Sequence, residues 1–333
     1  MVRLFRILII AVPALVFVLF AMVTAADQLN PNEAAMSKAQ ELLKEADRLF
    51  NSRQYDESRP IYQKALKAAE DAKNKSDQAE ALAMIARTYL VLDDKETGYI
   101  WLEKAKKAAD FDEPMGWSRF LGVNGRFLWK EEKNDEALRM FQNMFEYCSE
   151  NGLVDRAIDA AHMIAIVGDV DTQIKWGIKG VKAAEEAGET RWLGPLWNNL
   201  GATYEENGRD YEALEAYLKA RKYHYMHGTK LNKAIADWAI GHMYVKLGDF
   251  GNAIEWLKPL LPTFEELKDN EFIGLTCREL GEIELSKKDY QQSLELFTRA
   301  EQLLKEADMP SWDAKGYQKI VDRIALTEEK LGQ

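Results

Sequence analysis

Cysteine is nearly absent from this protein of 333 residues: Cys148 and Cys277 are the only two, which excludes a disulfide-built scaffold. They stand 129 residues apart, and both read as small buried apolar residues. Proline (8) and glycine (20) are also scarce, so turn clusters and short strands have little room and helix is expected nearly throughout. Positive charge falls short as well. A formal net charge of −11 argues against nucleic acid as a partner. No glycine-rich phosphate loop, zinc-type Cys/His spacing or nucleophile motif occurs, so neither an enzyme nor a cofactor or metal site is expected. With four histidines in all, the nearest metal-like constellation is His224-Tyr225-Met226-His227, whose two imidazoles lack a third ligand. Carboxylates such as Glu205, Glu206, Glu282 and Glu284 read as solvated faces.

Long hydrophobic runs are limited to one. Arg3 and Arg6 precede an uncharged apolar run from Ile7 to Val23, and the small residues Thr24, Ala25 and Ala26 follow. This is the pattern of an export signal, cleaved before Ala26 or Asp27 or else kept as a membrane anchor, and the flanking positive charges send the remainder across the membrane. Without Arg3 and Arg6 the formal charge falls from −11 to −13. The sequence thus divides into a signal or anchor over 1–26, a helical array over 27–310 and a closing helix over 311–333. The triplet Asn74-Lys75-Ser76 fits a glycosylation acceptor, which matters only in a eukaryotic secretory route.

What the sequence has in abundance is Ala, Leu, Glu and Lys in a repeated order. A small residue returns at Ala46, Ala86, Gly125, Ala161, Gly201, Gly241 and Gly281, in steps of 40, 39, 36, 40, 40 and 40. Twelve residues after each stand Ser58, Gly98, Ala137, Gln173, Ala213, Ala253 and Ser293, six of them small. Four further on come Tyr62, Leu102, Phe141, Tyr217, Leu257 and Phe297, with Gly177 in the fourth unit. Antiparallel helices approach closely only where a crossing side chain is small, and large residues one turn along fill the flanks. Neither hairpin face can be buried alone, so neighbouring pairs must stack.

Trp197, Leu200, Gly201, Tyr204, Ala213, Tyr217 and Ala220 together resemble the tetratricopeptide repeat family, and the resemblance extends over about seven units from near Ala34 to near Lys305. It implies an all-α, right-handed α-solenoid of about seven antiparallel helix pairs with a C-terminal capping helix. The steps exceed the family's usual 34 residues, so a long-repeat variant with extended helices or turns is expected. Asn30-Pro31-Asn32 starts the first helix, and Ser311 caps a last helix with an apolar stripe of Tyr317, Ile320, Val321 and Ile324, Arg323 facing away. The fourth unit departs most: Gly168, Gly177 and Gly180 leave a degenerate rigid repeat and a hinge both open.

The resemblance also implies a function: in the family the first helix of each pair lines a concave face that binds peptides or helices. Residues three before or one after each small position then form the candidate surface: Arg87, Arg126, His162, Asn198, Trp238, His242 and Arg278, with Trp129, Lys130, Glu205 and Lys246 a turn on. Arg126, Trp129 and Lys130 form its densest cluster. Arg offers a fork matched to carboxylates and Trp a broad plane, so the expected partner is another protein, through an acidic peptide segment or a free C-terminus. The family's clamp for chaperone C-termini lacks its opening Lys and Asn, since Leu43 and Asp47 stand there, and is not expected. A scaffold outside the cytoplasm is the favoured reading, touching the membrane only through its N-terminal segment. The alternative is a ligand-sensing repeat protein that changes its superhelical shape.

Overall fold

The computed structural model describes residues 36–332, and both residues 1–26, read from sequence as an export signal or anchor, and the expected Asn30–Asn32 helix start lie outside the described residues. Among the described residues there is helix and no strand. Seven helix pairs follow one another: α1 (Lys38–Asn51) with α2 (Tyr55–Asp71), α3 (Lys75–Val91) with α4 (Lys95–Ala108), α5 (Pro114–Lys130) with α6 (Asn134–Glu150), and α7 (Val154–Val167) with α8 (Val170–Glu186). Then come α9 (Leu193–Glu206) with α10 (Asp210–His227), α11 (Lys230–Lys246) with a second helix broken into α12 (Phe250–Leu257) and α13 (Leu260–Leu267), and α14 (Asn270–Ser286) with α15 (Tyr290–Glu306). A single turn, α16 (Met309–Trp312), leads into α17 (Ala314–Leu331). The α12–α13 break falls at Pro259, which lacks the N–H that an unbroken helix needs there. None of the described helices is long and apolar enough to cross a membrane.

Side-chain caps set many of the helix starts. Ser37 and Gln40 form a capping box on α1, Thr229 and Asn232 another on α11. Asp94, Asp169, Asp249, Asp269 and Asp289 accept a hydrogen bond from the backbone three residues on. Asn74 does the same for α3, so the glycosylation-type triplet sits in a helix cap. Tight turns between helices repeatedly place a residue in the left-handed region: glycine at 152, 188, 208 and 248, but Arg53, Lys73, Asp93, Glu132, Lys268 and Lys288 elsewhere.

The repeated small residue has a sharper role than helix crossing. A Cβ on Gly125, Gly201 or Gly241 would lie 2.6–2.7 Å from a side-chain atom of Phe141, Tyr217 or Leu257, and on Gly281 2.9 Å from Phe297. Each pair is sixteen residues apart. The small residue of the first helix is therefore the seat for the large residue of the second, and Phe141, Leu257 and Phe297 are fully buried in it. The position twelve residues on closes the same contact: Ser293 Oγ donates to Gly281 O at 3.0 Å.

The fourth unit breaks the pattern without loosening the stack. Gly177 faces Leu200 and Gly180 faces Leu196, both leucines from α9, so the next unit fills the space its own aromatic would have taken. Gln173, where a small residue is expected, donates to Gly168 O at 3.0 Å and accepts from Thr203 Oγ1 at 3.1 Å. The short step of 36 arises because α7 has one turn fewer than α5 ahead of its seat residue. The cores of successive units join through shared side chains, notably Tyr204 and Trp238.

Three details of the C-terminal end differ from expectation. The cap of α17 is Asp313, whose Oδ1 accepts from Gly316 N, whereas Ser311 lies inside α16 and donates to Asp308. Val321 is exposed and Thr327 takes its place in the buried stripe with Ile320, its hydroxyl satisfied by Arg323 O. Arg323 points back to Glu282 of α14 at 2.7 Å, because a long guanidinium stem reaches a carboxylate that a position count on one helix cannot foresee.

Candidate functional site

First helices α1, α3, α5 and α7, with the start of α9, line one open cavity of about 900 Å³. Its wall carries seven Lys and Arg side chains against four carboxylates, an excess of cation on an acidic protein. In the first three pairs the residue just after the seat lines this cavity: Asp47 on α1, Arg87 on α3 and Arg126 on α5.

Most of these charges neutralise one another. Arg119 reaches Asp47 at 2.7 Å and Glu80 at 3.3 Å, Arg156 meets Glu80 at 2.5 Å, and Arg126 meets Asp159 at 2.6 Å. Tyr62 donates its hydroxyl to Asp47 at 2.6 Å. Burial alone would push the Asp159 carboxyl up, yet Arg126 and Arg87 outweigh it and hold it at about 2. Arg87 differs from its neighbours. Its guanidinium lies 4.7 Å over the Phe50 ring and makes no ion pair among the described residues; burial, then the Arg126 charge, push it down to about 9. Lys44 and Arg48, exposed on α1, likewise carry no ion pair among the described residues and stand at the rim. The uncompensated positive charge thus collects at the α1–α3 end. Leu43, Met84, Val123 and Met144 supply buried apolar surface, and Met36 and Met115 lie exposed at the wall.

The expected surface residues separate into groups. Arg87 and Arg126 enter the cavity. Trp129 and Lys130 do not: both are exposed, with Lys130 3.6 Å from Asp93, because three residues rotate a helix by about 300° and four move a full turn along it. His162 packs at a tilt against Trp192 and lies 2.9 Å from Asn199 Nδ2; burial pushes its imidazole down to about 4, so it is neutral. Asn198 is half-buried on α9.

Trp238, His242, Lys246 and Arg278 come together further along, but as a closed network. His242 Nε2 is 2.8 Å from Glu205, and Nδ1 is 3.1 Å from Glu279, in ion-pair contact without a well-aligned hydrogen bond. Its ring stacks on Trp238 at 5.1 Å. Burial opposes the imidazolium, but Glu279 and Glu205 raise it to about 9. Arg278 pairs with Glu279, and Lys246 with Glu205 and Asp210. Glu205, read from sequence as solvated, accepts from Tyr217 and is largely buried, since its position one turn past Gly201 aims it at the neighbouring helix. The paired histidines part ways: His227 meets Thr190 at 2.8 Å and His224 packs on Gly194. Cys148 and Cys277 are free and buried.

Sequence reasoning missed Glu80, Arg119, Arg156 and Asp159. A signal existed: Glu80 and Arg119 each stand six residues before a seat, so successive repeats present opposite charges in one register.

Comparison with known proteins agrees with this architecture. The tetratricopeptide repeat family model matches residues 194–222, 238–258 and 271–298, so these three pairs are similar to tetratricopeptide repeats, and the first four pairs lie outside the match. No curated protein matches this sequence. A signal-transduction ATPase with numerous domains carrying a tetratricopeptide repeat sensor, from Pyrococcus horikoshii, superimposes with a TM-score of 0.65 and 16% identity over 86% of this protein and 43% of that one. The apo form of RapI gives 0.66 and 13% identity over 86% and 85%. The Cut9-Hcn1 hetero-tetramer of the APC/C gives 0.56 and 14% identity over 91% and 59%. At these identities the likeness establishes the fold, a tetratricopeptide-type helical solenoid, and the match spans less than half of the Pyrococcus protein.

Proposed function

We propose that this protein is a non-enzymatic protein-binding scaffold whose cavity receives a segment of another protein, either an acidic stretch or a free C-terminus. The observation that carries this is a cation-rich concave cavity on an acidic protein, with Arg87, Lys44 and Arg48 left without counter-ions at one end. Charge of this kind steers an anionic partner and fixes its orientation. Trp129 and Lys130, although outside the cavity, belong to the same helix as Arg126 and extend the surface a bound segment would follow. Residues 1–26 carry the array across a membrane, so the partner is met outside the cytoplasm or at the membrane face. The Cut9-Hcn1 neighbour, itself a complex of different proteins, is in keeping with such a role. Tagged full-length protein recovered from a membrane or periplasmic fraction should bring a specific protein with it, and Arg87→Glu with Arg48→Glu should lose it. Recovery of the same partner by the double variant would overturn this reading.

A further inference from the structure

We infer that Arg87 is the seat of a single carboxylate on the ligand, and that the ligand atoms next to this carboxylate are apolar. The inference rests on the binding role proposed above and narrows it. Within the inner network the cations are Arg87, Arg119, Arg126 and Arg156, and the carboxylates are Asp47, Glu80 and Asp159. Within this buried set one positive charge is left over, on Arg87, while Lys44 and Arg48 stand apart from it at the exposed rim. A guanidinium withdrawn from bulk water with its fork unused is costly unless an anion completes it. One carboxylate balances this buried set, and Lys44 and Arg48, exposed at the rim, are screened by solvent and add little to the balance there.

The chemistry of the neighbours sets the second half. Phe50 lies under the guanidinium and leaves its planar edge free for a two-point hydrogen bond to a carboxylate. Leu43 and Met84 are buried in the same wall, and Met36 and Met115 keep 45% and 44% of their surface exposed there, an apolar and adaptable lining that no other described residue covers. A run of acidic side chains would bring its further charges against methionine and against Asp47. A lone carboxylate beside an aliphatic or aromatic group leaves nothing unpaired.

The test uses the full-length protein and fluorescence anisotropy with four labelled probes: a pool of apolar hexapeptides with a free C-terminal carboxylate, the same pool amidated, the amidated pool carrying one internal aspartate, and amidated hexaglutamate. Binding of the free-acid pool, lost on amidation and weakened about thirtyfold or more by Arg87→Gln, supports the inference with a C-terminus as the source. Binding of the aspartate pool with the same dependence on Arg87 supports it with a side chain as the source. Arg87→Lys, which keeps the charge but not the fork, should recover only part of the affinity, and Arg209→Gln, on an exposed pair with Glu212, should change nothing. Melting curves of each variant separate loss of binding from loss of fold. One-carboxylate binding unaffected by Arg87→Gln, or hexaglutamate binding about tenfold tighter than either one-carboxylate pool, overturns the inference and leaves the scaffold reading standing. Failure of all four probes together with failure to recover any partner removes both.

Discussion

Placing a methyl group on Gly125 tests the seat that repeats along this array. Alanine inside a helix is ordinarily favoured over glycine by about 1 kcal/mol. At residue 125, however, the new Cβ would stand 2.6, 2.8 and 3.1 Å from three ring atoms of Phe141, which is fully buried and has nowhere to retreat. Overpacking of a filled core costs about 1–3 kcal/mol, enough to cancel the propensity gain and reverse the sign. Gly125→Ala should therefore destabilise by up to about 2 kcal/mol net, instead of stabilising by about 1 kcal/mol. Gly251→Ala, in an exposed first turn where the nearest atom is 3.7 Å away, should be neutral or stabilising. Combining Gly125→Ala with Phe141→Leu should relieve most of the penalty, because the two changes act on one contact. Urea unfolding followed by circular dichroism reads all four proteins. Equal stabilisation by Gly125→Ala and Gly251→Ala would refute the seat and, with it, the physical reason given for the recurring small residue.

Other expectations follow from the same contacts. Glu80→Gln leaves Arg119 and Arg156 without their shared carboxylate and should lower stability by about 3–5 kcal/mol, a figure that denaturant titration checks. Lys288 holds φ 65°, so Lys288→Gly should stabilise by about 0.5–1 kcal/mol, seen as a raised melting temperature. The His242 imidazolium, raised to about 9 between Glu279 and Glu205, adds stability that is complete below the unfolded value near 6.5 and is lost as pH rises through 9. Stability should fall across that window by about 3 kcal/mol, seen as a lowered melting temperature, and His242→Gln should flatten the fall. Partner binding should weaken as salt rises, since Lys44 and Arg48 at the cavity rim are exposed to solvent, and salt-independent affinity would remove the electrostatic argument.

The architecture was legible because it is written in small residues. Ala46, Ala86, Gly125 and Gly281 recur at nearly constant intervals, and a register of sixteen residues to Tyr62, Leu102, Phe141 and Phe297 needs no tertiary information. The family resemblance pointed to Arg87 and Arg126 on the inner face, and both line the cavity. What it could not supply was which cation is left over. Arg126 and Arg87 occupy the same register, yet Asp159 from α7 forms an ion pair with Arg126 and acts on Arg87 only from a distance, a difference made by helix packing across about thirty residues. Trp238 looked like surface and proved to join three parts of the core, since its ring edge meets Phe272 while its face meets His242. The fourth unit looked weak because its glycines were judged as helix residues, whereas Leu196 and Leu200 of the next pair occupy the space beside them.

Whether the concave wall is the binding surface can be asked directly by photo-crosslinking in the native compartment. A benzophenone residue at Lys44, on the rim of the cavity, is compared with one at Ile178, half exposed on α8 of the second-helix layer. Partner adducts identified by mass spectrometry at Lys44 and not at Ile178 are the predicted result. Adducts at Ile178 with none at Lys44 would contradict the account.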